Sequence, residues 1–148
     1  MEAMKNLRQL AFLMLSGESG SHNDEFKKRF KQIGLKAMKE LALILELKEV
    51  DINFNPGGIA VSGDLRLMGM WSAENGVYIT MNKNFPNAPC GQILYRTIRN
   101  MKDFSGGSNC WLEFKLLKFP EALKKRIMRL NKPRQELVIE SLQDCMAK

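Results

Sequence analysis

A single histidine, His22, and three cysteines without CxxC spacing leave this chain little for metal or nucleophilic chemistry. Cys90, Cys110 and Cys145 are odd in number and far apart, which argues against a disulfide-stapled secreted scaffold. They read as free thiols of a reducing, cytoplasmic compartment. No apolar run approaches the roughly 20 residues of a membrane span. The N-terminal MEAMKNLRQLAFLML ends in a short apolar stretch with no small-residue cleavage site behind it, so neither a leader nor a membrane contact is expected. P-loop, dinucleotide and HExxH patterns are missing, and no helix face presents paired carboxylates. His22 lies in the polar linker GESGSHN, where a histidine is ordinarily solvated. The expectation is a protein that is not an enzyme and takes no cofactor or metal. An enzyme with a site assembled from distant residues ranks third among the readings.

What is present suits one globular domain over residues 1–148. Hydrophobic residues make up 45% and charged residues 26%, too apolar for a disordered chain. The formal net charge of +7 is unevenly placed. Between Arg96 and Arg134 eleven basic residues meet three acidic ones, Asp103, Glu113 and Glu121, an excess of eight. Residues 1–95 are nearly balanced and the last fourteen are net acidic. A field of one sign attracts polyanions or an acidic protein face. The plainer alternative is a solvated basic surface.

Along the chain the apolar period is first helical, then two, then helical again. A first helix is expected over about 2–16, with Leu7, Leu10, Ala11 and Met14 on one side. A second follows the linker, with Phe26, Phe30, Ile33, Ala37, Leu41 and Ile44 on one stripe and Lys28, Arg29, Lys36 and Lys39 opposite. LALILEL at its end is apolar nearly all round and predicts burial on more than one side. Gly34, costly in mid-helix, is a candidate close packing point, although ordinary tolerance explains it as well. From Val50 the alternation is that of strands, punctuated by Asn55-Pro56-Gly57-Gly58 and by Asn75-Gly76, a hairpin signal. Gly63 and Gly69 suggest bulges or bends. Ile93, Tyr95, Thr97 and Arg99 should face opposite to Leu94, Arg96 and Ile98, and CWLEF (110–114) can close the sheet. Pro120 opens a helix running to about Asn131, and another is expected over 135–146. The fold class predicted is α+β: a central antiparallel sheet over about residues 50–114 with N-terminal and C-terminal helices packed on it.

The most informative stretch is LYRTIRNMKDFSGGSNCW (94–111). Arg96, Arg99 and Lys102 lead into Phe104, Ser105, Gly106 and Gly107, whose small residues let backbone N–H groups approach an anion. Tyr95, Phe104 and Trp111 offer stacking surfaces for bases, although a hairpin loop also needs glycine and aromatics also fill cores. On Leu94-Tyr95-Arg96 and Lys102-Asp103-Phe104-Ser105-Gly106-Gly107-Ser108-Asn109 the chain resembles small uncharacterised proteins of phages and other mobile elements. The resemblance spans residues 92–111 and implies an accessory factor, with no activity to carry over.

The helix after Pro120 supplies the second feature. Lys118, Lys125, Arg129 and Lys132 lie opposite its apolar stripe of Phe119, Leu123, Ile127 and Leu130. The expected function is therefore a non-enzymatic binding protein, engaging nucleic acid or a nucleic-acid-handling complex through a basic face at 96–134. The runner-up is a protein-interaction module with an acidic partner surface, such as a phage-encoded inhibitor of a host machine. The ten methionines, Met68, Met70 and Met81 among them, serve either as an adaptable contact surface or as core.

Overall fold

A computed structural model describes residues 4–15, 24–56, 63–82, 92–102 and 109–131. The expected helix over 135–146, the Gly106-Gly107 loop and the proline-containing loop at 84–91 lie outside the described residues, as do Cys90 and Cys145.

Helix α1 (Lys5–Leu15) buries Leu7, Leu10, Ala11, Leu13 and Met14. Its first turn has no acidic residue of its own. Glu40, on the next helix, supplies the missing acceptor: its carboxylate takes the backbone N–H of Asn6 (3.1 Å) and of Leu7 (2.9 Å), together with the Asn6 amide (2.6 Å). One side chain thereby satisfies two of the four donors a helix start leaves open and ties α1 to its neighbour.

Helix α2 (Asp24–Ile44) lays the predicted stripe on the sheet: Phe26, Phe30, Ala37 and Leu41 are buried, and Phe26 stacks near Phe30 with centroids 6.5 Å apart. Gly34 is a close packing point, because a Cβ there would run into the Leu65 side chain. Burial around LALILEL is less complete than its composition predicts. Leu41, Ala42 and Leu45 are buried, but Leu43 is 75% exposed, since the helix is covered on one side only.

The end of α2 is a Schellman turn built without glycine. Glu46 sits at φ 57°, its N–H reaches the Leu43 carbonyl, and the Leu47 N–H reaches that of Ala42. Trp71 then donates its indole N–H to the Leu45 carbonyl at 2.7 Å, so the sheet caps the helix.

The sheet is an antiparallel meander in chain order: β1 (Glu49–Asn55), β2 (Asp64–Ser72), β3 (Asn75–Met81), β4 (Gln92–Ile98) and β5 (Cys110–Glu113). Alternation sorts its side chains. Leu65, Leu67, Val77, Ile79, Met81, Ile93, Tyr95 and Leu112 join the helices in the main core, as do Phe114 and Leu117 of the 3-10 turn Phe114–Lys118. Helix α3 (Pro120–Met128) starts on Pro120 as expected and adds Leu123 and Ile127 to the same core. Each such large side chain contributes about 1.5–3 kcal/mol on burial. The α+β expectation, with helices before and after one antiparallel sheet, is what the chain forms.

Two local expectations need correction. The β2–β3 turn is Ala73-Glu74 rather than Asn75-Gly76: a register shift between Met70 and Ser72 places Ser72 opposite Asn75 and moves Gly76 into the strand. Gly76 is glycine because Met70 and the Gly69 carbonyl crowd the space a Cβ would need. Gly69 lies in unbroken register with Val50 and Val77, so it makes no bulge; Leu47 and the Glu49 carbonyl close over it instead.

Candidate functional site

The second face of the sheet follows from the same alternation. It carries Glu49, Asp51, Asn53 and Asn55 from β1, Asp64, Arg66, Met68 and Met70 from β2, and Tyr78 and Thr80 from β3. Beside them lie Leu94, Arg96 and Ile98 from β4 and Trp111 and Glu113 from β5. Among the described residues no helix packs here. At one end Met68, Met70 and Ile98 are buried with Tyr78 and Met101 in a small separate cluster. This divides the methionine alternatives: Met81 belongs to the main core, and Met68 and Met70 anchor the other face.

Beyond that cluster the face becomes chemically distinctive. Tyr78 lies directly opposite Arg96. Arg66 is diagonal to Tyr78, and Trp111, opposite Leu94, is diagonal to Arg96. Such diagonal neighbours are about 7–8 Å apart, within reach of long and aromatic side chains. The four strands β2–β5 thus present guanidinium, ring, guanidinium, ring along a shallow arc, a track with Arg66 and Trp111 in one cross-strand row and Tyr78 and Arg96 in the next. Trp111 is 51% exposed, and a large indole left open to water is an uncommon use of surface.

On the β1 side the track ends in an open-sided concavity of about 480 Å³ lined by Asn53, Asn55, Asp64, Arg66, Tyr78 and Thr80. The Thr80 hydroxyl is committed to the Leu65 carbonyl (3.0 Å), and Asp64 accepts from the Asn82 amide (2.6 Å). Arg66 Nε is buried and has no hydrogen-bond acceptor among the described residues. A desolvated donor left unmade costs about 1–3 kcal/mol, so an acceptor entering the concavity beside it would be favoured.

The residues expected from sequence separate across the sheet. Arg96 is on the second face. Arg99 is exposed just past β4, and Lys102 is exposed in the following turn, where its backbone N–H donates to the Asn100 side chain at 2.8 Å. Lys118, Lys125 and Arg129 belong to the helical side, because the segments carrying them bury Leu117, Leu123 and Ile127 in the main core. Lys118 there lies 4.7 Å from the ring centre of Phe12. Phe104, Ser105, Gly106, Gly107 and Lys132 lie outside the described residues.

Of the expected stacking residues Trp111 is open, whereas Tyr95 faces the main core and is 6% exposed. Burial raises the pKa of its hydroxyl, the Cys110 thiol raises it further, and the Arg126 guanidinium partly offsets both. Sequence reasoning passed over Arg66, Tyr78 and the β1 asparagines. Their signal was strand parity, which places them beside Arg96 only once the registers of two hairpins are known.

Among the described residues no group of three His, Cys, Asp or Glu side chains could hold a metal ion, and no helix is long and apolar enough to cross a membrane. Among the described residues Cys110 forms no disulfide. No known family, curated protein or solved structure matches the chain.

Proposed function

We propose that the chain is a non-enzymatic nucleic-acid-binding protein, an accessory factor that lays a single strand across β2–β5. The observation that carries this reading is the alternation of Arg66, Tyr78, Arg96 and Trp111 on one side of the sheet. Rings stack on bases of any sequence, and guanidinium groups pair with the phosphates between them. Duplex DNA keeps its base faces stacked inward and would leave Trp111 without a partner, so a single strand fits better.

The test is titration of fluorescent single-stranded DNA and RNA over a range of salt. Trp111→Ala should weaken binding by about 1–3 kcal/mol, the worth of one stacked base, with the salt dependence unchanged. Arg66→Gln combined with Arg96→Gln should lower the slope of log K against log salt by about 0.7 for each phosphate no longer neutralised. If Lys125→Gln with Arg129→Gln carries that change instead, the helical side is the interface. No binding of the wild type at low salt defeats the reading.

A second reading, a protein-interaction module, draws support from Phe12, Leu15 and Phe119, which are 63%, 48% and 58% exposed. With Lys118 over Phe12 they make a mixed apolar and basic surface suited to an acidic protein partner. Tight binding to such a partner without nucleic acid would favour it.

A further inference from the structure

The concavity beside Arg66 is chemically unlike the rest of the track. Arg66 and Asp64 lie two residues apart on β2 and line it together, so the carboxylate offsets part of the cation's pull on phosphate and sets acceptors beside the guanidinium donors. It offers a guanidinium with a buried, unused Nε donor. It also offers a carboxylate whose hydrogen bond from Asn82 leaves acceptor capacity, since an ionised carboxylate accepts at about four sites. The amides of Asn53 and Asn55 complete the rim, and the Tyr78 ring is shared with the track. This is a set for reading the edge of a flat, neutral heterocycle that has both donors and acceptors.

We infer that the concavity is a base-reading subsite that selects an unpaired guanine from the bound strand. The inference rests on the single-strand reading above and adds sequence preference to it. Guanine is the one common base with two N–H donors, N1–H and N2–H, directed side by side at one carboxylate. Its O6 and N7 form an acceptor pair that a guanidinium meets with two donors. Cytosine and adenine offer one exocyclic amino group each and thymine a single ring N–H, so each leaves part of the Arg66–Asp64 set unmade. Leaving a buried polar group unmade is what makes such discrimination large. A volume of about 480 Å³ falls within the ordinary range for small-molecule sites and accommodates a purine.

The experiment measures affinity by fluorescence anisotropy for a short oligothymidylate. It is compared with the same strand carrying one central dG, dA, dC or abasic site. The dG strand should bind about tenfold tighter than the parent, the effect of one good bidentate pairing, and the dA, dC and abasic strands should not. Asp64→Asn and Arg66→Gln should each bring the dG-to-parent ratio towards one. The ratio isolates the subsite, because a general loss of fold or charge changes all strands together. Equal affinity of all strands, or a dG preference that survives both substitutions, overturns the inference while leaving single-strand binding in place. Failure of every strand to bind at low salt overturns both.

Discussion

Tyr95 and Arg96 are adjacent in the chain and point to opposite sides of the sheet, so one becomes core and the other surface. The sequence showed this parity but not which side the helices cover. That is why Tyr95 reads as a stacking residue in the sequence and as a core ring in the fold. Its burial has a consequence in alkali. The hydroxyl ionises near pH 10 in an unfolded chain and at higher pH in the folded one. The unfolded state therefore loses its proton first. The stability Tyr95 confers is whole below about pH 10 and is lost as the pH rises through the folded value. Urea unfolding at pH 8 and at several values above 10 should show a decline in the wild type that is shallower in Tyr95→Phe. At pH 8 the variant should be weaker by about 1 kcal/mol, the worth of a hydrogen bond. Parallel declines in the two proteins would remove Tyr95 as the cause.

The elements themselves were legible because each is announced by period and punctuation: the stripe of α2, the alternation from Val50, the proline at the start of α3. Their junctions were not. The β2–β3 turn moved by two residues because a register shift is a property of two strands, and no single run of residues encodes it. The start of α1 was equally hidden, since its acceptor comes from Glu40, far along the chain on α2. Glu40→Ala should destabilise the fold by about 1–3 kcal/mol, because it strands two backbone donors, and Glu40→Gln should cost less by keeping one acceptor oxygen. Urea unfolding measures both. A loss within about 0.5 kcal/mol, ordinary for surface changes, would mean that water replaces the carboxylate.

At the scale of the whole molecule, the excess of basic residues between Arg96 and Arg134 is real in the chain and divided in space. β4 contributes Arg96 to one side of the sheet, and the segments after β5 contribute Lys118, Lys125 and Arg129 to the other. A local charge count along the sequence could not reveal this, because the chain passes around the sheet between the two groups. Arg66, from a nearly neutral stretch, joins the arginine side instead. Candidate residues were thus legible by type, and their grouping depended on the register.

The strand order has a kinetic consequence. Among the described residues every strand pairs only with its neighbours in the chain, so the sheet can grow by adding one hairpin at a time. Each addition closes a connection of two to eleven residues, a length over which the entropic cost rises only slowly, and folding should be fast for a protein of this sheet content. Such growth also grades resistance to opening from the middle outwards. Backbone amides of β3, bonded on both sides, should exchange with solvent most slowly, near the rate set by global unfolding. Alternate amides of β1 and β5, which face away from their single partners, should exchange faster by orders of magnitude. Hydrogen exchange followed residue by residue reads this gradient, and equal protection across the five strands would mean that the sheet opens only as a unit.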